Sequence, residues 1–290
     1  MKKLFWDKIR ILVTDRCNYR CPFCHNEGQQ KGSHRADASF KDVAKLIDFI
    51  KDCGISEICF SGGEPFLNED IVKMIRYAND ETNCDIACAS NLSRISDSQI
   101  KELQGTRVKF NIQFPFISPS KFKLSTGTGN LETILSTINH IRECGLEVGL
   151  NTVIQSNNKQ DIEDIILFSI HNELPLKLLP QIGLDGSDQF LEWVHPIIDQ
   201  FAVSFIDKKT GAKRWVVEDS RKRTSVLYID SPCFSHNINE CRNYGEIRVL
   251  PDMRTQPCLL KTGEIQLELA KGKDFVIQQL RESWNELRNC

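Results

Sequence analysis

Three cysteines lie within eight residues near the beginning of the sequence. Cys17, Cys21 and Cys24 follow the spacing C-x3-C-x2-C. Thiolates this close together are soft ligands, and soft ligands select zinc or an iron–sulfur cluster. One interpretation is a 4Fe–4S cluster with three cysteine ligands, because that arrangement leaves one iron open for a cofactor or a substrate.

Other kinds of site fit part of the same segment. The pair Cys21 and Cys24 followed by His25 has the spacing of a c-type haem attachment, but such a site needs an exported protein and leaves Cys17 unexplained. The same pair has the spacing of a thioredoxin-like redox site, again with a surplus cysteine. A zinc ion on the three cysteines and His25 is chemically reasonable, although two adjacent residues are awkward ligands of one tetrahedral ion.

Composition places the chain among ordinary globular proteins. Its 290 residues are 40% hydrophobic and 26% charged, and the formal net charge is -2. This balance argues against disorder, and it gives no general attraction to nucleic acid or to an anionic membrane. No segment is apolar for the ~18 residues that a membrane span needs. We therefore expect a cytoplasmic protein, in which thiols stay reduced and metal binding explains the cysteines that cluster.

The elements that position the cysteines alternate between strand and helix patterns. Ser39 can cap a helix that ends before Gly54, and similar helix patterns follow. They separate strand-like segments at residues 9–13, 57–61, 85–89, 108–114, 148–154, 176–181 and 202–206. This alternation predicts an α/β fold with a parallel sheet, either open or a partial barrel. Ligands should bind at the carboxyl ends of its strands, where Cys17 follows the first strand.

A second motif, Gly62-Gly63-Glu64-Pro65, ends the second strand. On its own, a glycine pair indicates a tight turn. Together, the two motifs resemble the radical S-adenosylmethionine superfamily. The resemblance implies a 4Fe–4S cluster on the three cysteines and S-adenosylmethionine bound with its methionine amino group against Gly62, Gly63, Glu64 and Pro65. It also implies that Glu64 accepts a hydrogen bond from that ammonium group.

More of the sequence is similar to one branch of this superfamily, the molybdenum-cofactor GTP 3′,8-cyclases and their auxiliary-cluster (SPASM/twitch) relatives. The matching segments are Ile11 to Asn18, Ser125 to Leu131 and Asn151 to Ile154. The resemblance implies a partial (β/α)6 TIM-like barrel in residues 1–206. It also implies contacts to the adenosyl group from three residues at strand ends, Ser90, Asn91 and Gln113. The family has a serine where Gln113 stands.

Residues 207–290 resemble the small auxiliary-cluster region of that branch, in which one cysteine precedes a hairpin and another follows it. The implied ligands of a second 4Fe–4S cluster are Cys233, Cys241 and Cys258, with Cys290 as a fourth. Seven residues separate Cys233 from Cys241, whereas the first pair in the family is closely spaced. The remaining cysteines are interpreted as ordinary thiols of helices and strands: Cys53, Cys59, Cys84, Cys88 and Cys144.

These features predict an enzyme that splits S-adenosylmethionine reductively to a 5′-deoxyadenosyl radical, which abstracts hydrogen from a substrate. The auxiliary region recurs in relatives that modify ribosomal peptides. We therefore expect a peptide or small natural-product precursor as substrate, with a new bond formed oxidatively. A GTP 3′,8-cyclase-like nucleotide reaction is the first alternative, and a non-catalytic iron–sulfur or zinc protein is the second. The expected partner is an external electron donor such as flavodoxin or ferredoxin, with no nucleic acid and no membrane.

Overall fold

The strands of this protein form one sheet in the computed structural model, which describes residues 6–25, 37–156, 158–208, 211–230, 245–259 and 264–286, with Cys233, Asn239, Cys241 and Arg242. The strands found in these ranges are β1 Lys8–Leu12, β2 Glu57–Ser61, β3 Asp85–Ser90, β4 Val108–Gln113, β5 Glu147–Ile154, β6 Leu176–Pro180, β7 Ala202–Asp207, β8 Ala212–Asp219, β9 Lys222–Ile229, β10 Glu246–Val249, β11 Arg254–Gln256 and β12 Ile265–Gln266.

Helices cover the sheet. They are α1 Phe40–Ile50, α2 Ile71–Glu81, α3 Asp97–Leu103, α4 Pro119–Thr126, α5 Leu131–Glu143, α6 Ile162–His171, α7 Phe190–Asp199 and α8 Lys273–Glu286. Ser39 caps α1 as predicted, because its side chain accepts a hydrogen bond from the backbone N–H of Asp42. A capping box of Ser96 and Gln99 fixes the start of α3 in the same way.

Strands β1 to β6 are parallel and lie in the order of the sequence, each joined to the next by a segment that contains at least one helix. This arrangement confirms the predicted α/β fold of the partial barrel type. The apolar side chains of the strands that face the helices form the core, including Ile58, Phe60, Phe110 and Ile112. The alternate positions, on the opposite face of the sheet, include the polar side chains of Lys109, Asn111 and Lys177.

Strands from the last third of the chain lie at both edges of the six-stranded core. β9 pairs in parallel with β6, and β8 and β7 continue the sheet as antiparallel strands. At the other edge β10 pairs in parallel with β1, and β11 and β12 follow antiparallel. β7 runs through the expected domain boundary at residue 206, so the division into residues 1–206 and 207–290 stays a prediction.

Two local features differ from or refine the sequence interpretation. The sequence pattern did not predict α4, because only Phe122, Ser125 and Thr126 are buried and no apolar stripe marks the helix. A Thr-Gly pair at residues 210–211, which is typical of a hairpin turn, lies between the antiparallel strands β7 and β8. Gly211 has the positive φ of 76° that such a turn needs, and residue 210 lies outside the described residues.

Within the ranges given above, none of the helices combines the length and the apolar character that a bilayer crossing requires.

Candidate functional site

The first cysteine cluster lies in the loop that leaves β1 at its carboxyl end. Cys17 and Cys24 are exposed and Cys21 is half-buried. The side chains of Tyr19 and Phe23 are buried between them and anchor the loop to the protein. The backbone N–H of Tyr19 donates to the sulfur of Cys17 over 3.4 Å, and that of Cys24 donates to the carbonyl of Cys21 over 3.1 Å.

The three thiols influence one another electrostatically. Burial and the neighbouring Cys24 and Cys17 thiols raise the pKa of Cys21 to about 12. Cys17 is exposed as a residue, but its thiol is partly withdrawn from water, and this desolvation raises the pKa of Cys17. A bound cationic centre reverses this effect, because it stabilises the thiolates. In the described part of the chain, no three His, Cys, Asp or Glu side chains converge on a single metal ion. A cubane is a different case, since each cysteine binds its own iron, and three clustered thiols are the donors that it takes.

The glycine pair after β2 packs directly against the cysteine loop. A Cβ atom on Gly63 would lie 2.1 Å from the carbonyl oxygen of Arg16, and one on Gly62 would lie 2.3 Å from that of Thr14. The N–H of Gly63 donates to Thr14 O over 2.9 Å, and that of Glu64 donates to Arg16 O over 2.8 Å. The missing side chains therefore allow two backbones to form hydrogen bonds, a role that the sequence interpretation did not include.

Further polar contacts hold the residues before Cys17 in place. The Arg16 guanidinium pairs with the Asp37 carboxylate and donates to the Leu67 carbonyl over 2.6 Å. The hydroxyl of Thr14 donates to Asp37 over 2.7 Å. The side-chain amide of Asn68 donates to the carbonyls of Val13 and Ala38, each over 2.9 Å. The loop that enters the cluster is thus fixed from both sides by the segments around residues 37 and 67.

Glu64 is completely buried and joins the glycine turn to the end of β3. Its carboxylate accepts hydrogen bonds from the Ser90 hydroxyl and the Asn91 N–H, both 2.7 Å, and from the Phe66 N–H at 3.1 Å. Burial raises the pKa of Glu64, and these three bonds act in the opposite direction. Each carboxylate oxygen already has a donor from the protein. The predicted bond to a methionine ammonium therefore stays a prediction.

Ser90 and Asn91 lie beside the cysteine loop. The Ser90 hydroxyl is used within the protein, since it also accepts the N–H of Leu92 over 2.9 Å. The Asn91 amide lies 3.2 Å from the side-chain oxygen of Asn18 and 3.9 Å from the sulfur of Cys17. The structure thus brings together Cys17, the Gly62–Pro65 turn, Ser90 and Asn91. The contacts of Ser90 and Asn91 to the adenosyl group stay predictions.

Gln113 lies one strand further along, at the end of β4. Its Nε2 is buried and makes no hydrogen bond with any described residue. The register places Gln113 opposite Asn151 of β5, whose Oδ1 is also buried and accepts no hydrogen bond within the described ranges. A buried donor and a buried acceptor on neighbouring strands thus lack a partner in the described part of the chain, as expected of groups that a ligand satisfies. Asn151 was not among the predicted site residues, although a polar residue in an otherwise apolar parallel strand is a signal.

A cavity of about 110 Å³ is lined by residues of β4, β5, β6, β8 and β9. Four cationic side chains line it, Lys109, Lys177, Lys208 and Arg214, and the described lining residues include no carboxylate. The Lys177 ammonium donates to the amide oxygen of Asn111 over 2.9 Å, and burial lowers the pKa of Lys177. The sequence interpretation missed this group, because strands far apart in the chain contribute its members.

A second charged group connects β1 to β10. Glu246 is buried, and its carboxylate lies 3.0 Å from Arg10 and 2.7 Å from Arg248. Burial alone would raise the pKa of Glu246, but the charges of Arg10 and Arg248 outweigh it and lower the pKa to about 2. This three-residue group was also not predicted, since Arg10 and Glu246 are 236 residues apart in the sequence.

The second cysteine group lies toward the end of the sheet at which β1 begins, opposite the end that carries the first cysteine cluster. Cys241 precedes β10 and Cys258 follows β11, and these strands form the hairpin that the family resemblance implied. β10 is parallel to β1, and its first residue pairs with Lys8 at the start of β1. Both thiols are half-buried against the core, and Cys233 is half-buried as well. Cys290 lies outside the described residues, and the second cluster stays a prediction.

The other cysteines agree with their interpretation as ordinary thiols. The four buried ones are Cys53, Cys59, Cys84 and Cys88, and the half-buried one is Cys144.

Comparison with known proteins places these motifs in a family context. The sequence model of the family described as "Radical SAM superfamily" matches residues 11–169. The GTP 3′,8-cyclase of Alkaliphilus oremlandii is 28% identical over 302 residues, which cover 98% of this chain and 91% of the relative. The GTP 3′,8-cyclase of Clostridium perfringens is 26% identical over 290 residues, which cover 95% and 87%.

Solved structures with the same fold include Streptococcus suis SuiB bound to S-adenosylmethionine. It matches with a TM-score of 0.72 at 15% identity, over 96% of this chain and 68% of SuiB. SuiB bound to the precursor peptide SuiA matches equally well, with a TM-score of 0.72. At this level of identity the likeness shows the fold alone.

Proposed function

Because this chain belongs to the radical S-adenosylmethionine superfamily, we propose that it acts on a purine nucleotide in a reaction like that of the GTP 3′,8-cyclases. Family membership makes the chain an enzyme, so the non-catalytic alternative is wrong. The peptide or natural-product substrate favoured by the sequence has weaker support. Relatives over almost the whole chain are nucleotide cyclases, whereas the peptide-bound neighbour shares only 15% identity.

The cationic cavity is the observation that carries this proposal. Phosphate groups bind where several lysine and arginine side chains converge, and the cavity offers four of them. Lys109 is paired with the exposed Glu147 at 3.6 Å, whereas the described lining itself includes no carboxylate. Lys177 is the strongest indication. A half-buried ammonium whose nearest partner is the neutral Asn111 amide is stabilised when an anion enters. The triphosphate of GTP supplies such an anion.

The protein's own contribution is to hold the reactants and to exclude water. Cys17, Cys21 and Cys24 would ligate the cluster, and the Gly62–Pro65 turn would hold the methionine end of S-adenosylmethionine. When bound, these groups supply the electron transfer and the radical that removes a hydrogen atom from the substrate. Gln113 Nε2 and Asn151 Oδ1 have no partner among the residues that the structure describes, so they would donate to and accept from a ligand at the carboxyl end of the sheet.

The first test is whether GTP is the substrate. Anaerobically reconstituted enzyme with excess dithionite should form more 5′-deoxyadenosine when GTP is present. GTP that carries deuterium at C3′ should transfer the label, because a 3′,8 bond forms only after C3′ loses its hydrogen. Formation of 5′-deoxyadenosine that GTP leaves unchanged, but that a precursor peptide stimulates, would overturn the proposal.

The second test concerns the cavity itself and does not depend on turnover. Lys177→Met should raise the dissociation constant for GTP about tenfold or more, since a hydrogen bond to a charged group contributes roughly 1.5–3 kcal/mol. Lys101→Met is the matched control, because Lys101 is an exposed lysine on α3 and does not line the cavity. Equal affinities of the two variants for GTP would show that the cavity does not bind the nucleotide.

We also propose that Cys233, Cys241 and Cys258 bind a second cluster, with Cys290 as a candidate fourth ligand. The support is the hairpin β10–β11 between Cys241 and Cys258 and the half-buried position of the thiols. Wild-type protein should bind about eight irons per chain, and the triple variant Cys17→Ala/Cys21→Ala/Cys24→Ala about four, as expected for two 4Fe–4S clusters. A wild-type content of four irons that falls to none in the triple variant would refute the second cluster and leave the radical assignment intact.

A further inference from the structure

The cysteine loop reaches the surface beside the end of α4. Cys17 and Cys24 are exposed, so a cluster held here lies near solvent. The Arg20 N–H donates to the Thr126 carbonyl over 2.9 Å, and the Thr128 hydroxyl donates to the Asn18 carbonyl over 3.0 Å. The last turn of α4 is therefore attached to the segment between the first two cysteines.

An exposed apolar residue stands on this turn. The side chain of Leu124 is 85% exposed, which is the highest value for a large hydrophobic residue in the described part of the chain. It precedes the Ser125-Thr126 pair that is buried toward the cysteine loop. A single exposed leucine needs no explanation by itself, but its position and its charged surroundings indicate a role.

Cationic side chains stand on the segments that meet at the cysteine loop beside Leu124. Arg20 and Lys123 are exposed and make no ion pair in the described part of the chain. Arg94, also exposed, follows Ser93, whose hydroxyl accepts the Asn18 side-chain amide over 2.7 Å. The same loop residue, Asn18, thus connects the cysteine loop to the segments that carry these cations. Lys121, by contrast, is neutralised by Asp161 at 2.8 Å.

We propose that Arg20, Arg94, Lys123 and Leu124, here called the α4 patch, dock a small electron-carrier protein with an acidic surface around its redox group. The argument is charge complementarity at the point where the cluster-binding cysteines are accessible. Electron-transfer encounters use small interfaces, so one apolar contact within a few cations is sufficient. A remote docking surface would leave the electron far from Cys17 and Cys24.

The redox step balances with the carrier as the only added reactant. A reduced flavin carrier loses one electron, and S-adenosylmethionine gains it as its sulfur–carbon bond breaks to give methionine and a 5′-deoxyadenosyl radical. The inference depends on the family's need for a reductant and not on the identity of the substrate. It therefore stands or falls separately from the GTP proposal.

The test compares a protein reductant with a small one. With reduced flavodoxin at low salt, Lys123→Glu and Leu124→Asp should slow the formation of 5′-deoxyadenosine roughly tenfold, because steering by opposite charges accelerates association by at least this factor. With dithionite the same variants should match the wild type, since a small ion needs no docking surface. This second measurement also reports whether the variants fold and bind their cluster.

Binding gives an independent readout. The dissociation constant of oxidised flavodoxin for the wild-type holoenzyme should rise with added salt, and it should be roughly tenfold higher for Lys123→Glu at low salt. Lys101→Glu is the matched control, because it makes the same charge change on an exposed lysine of α3. Equal loss with both reductants, or equal flavodoxin affinity in all variants, would overturn the proposal.

Discussion

Replacement of Gly63 by alanine should disconnect the glycine turn from the cysteine loop. The added Cβ would lie 2.1 Å from the Arg16 carbonyl oxygen, which is 0.9 Å less than the 3.0 Å that real Cβ contacts keep. Its neighbours are backbone atoms of Arg16 and Asp15, so no flexible side chain can move aside. The two hydrogen bonds to Thr14 and Arg16 must lengthen or break, and each contributes about 1 kcal/mol.

The expected cost is about 3 kcal/mol of unfolding free energy, at the upper end for an overpacked site. Because the clash lies one residue from Cys17, the larger effect should be on the cluster. Iron bound at the first cysteine group and the affinity for S-adenosylmethionine should both fall at a temperature where circular dichroism still shows the folded sheet.

Gly145→Ala is the matched control for this change. Gly145 has a φ of 76°, so alanine there is strained, but its Cβ meets nothing within 4 Å. This variant should lose about 1 kcal/mol and retain its iron. Full iron content together with wild-type stability in Gly63→Ala would refute the claim that the glycine pair is required for backbone contact.

Three further outcomes are expected. Glu246→Gln should lower the unfolding free energy in a urea titration by about 3 kcal/mol, because Arg10 and Arg248 lose their shared carboxylate; a change below about 1 kcal/mol would contradict this. The folded-state pKa of Glu246 is about 2, below its ordinary 4.5, so its stabilising contribution is present above 4.5 and is lost as pH falls toward 2. Wild-type stability measured from pH 6 to pH 3 should therefore fall more steeply than that of Glu246→Gln. Ser90→Ala should destabilise the protein by about 2 kcal/mol, because buried Glu64 loses one of its donors; an unchanged melting temperature would show that this bond is dispensable.

The sequence predicted the elements whose signals are local. β2 at Glu57–Ser61 has the predicted bounds, because a short apolar run before the glycine pair marks it without help from the rest of the fold, and the capping Ser39 marks the start of α1 in the same way. α4 was missed for the complementary reason. It buries few side chains and is fixed by contacts with the cysteine loop, which no pattern within its own residues reveals.

The residues of the site also differ in whether a local sequence signal or the folded arrangement reveals them. The cysteine spacing and the glycine motif were readable because each lies on one short segment. The cationic cavity was not, since Lys109, Lys177 and Arg214 come from three strands whose order in the sheet had to be known first. For Glu64 the sequence implied a ligand contact but could not name the protein groups that it binds. Its hydrogen bonds to Ser90 and Asn91 depend on β3 ending beside β2.

The pairing of β10 with β1 has a consequence for how the protein is made on the ribosome. Arg10 and its partner Glu246 are 236 residues apart, so the outer edge of β1 has no strand to cover it until almost the whole chain has emerged. At roughly 5–20 residues per second this interval lasts on the order of 10–50 s. An uncovered strand edge invites pairing with other chains. We expect nascent chains that stop short of β10 to be the species on which chaperones act, and protease sensitivity of stalled chains on either side of residue 250 would measure it.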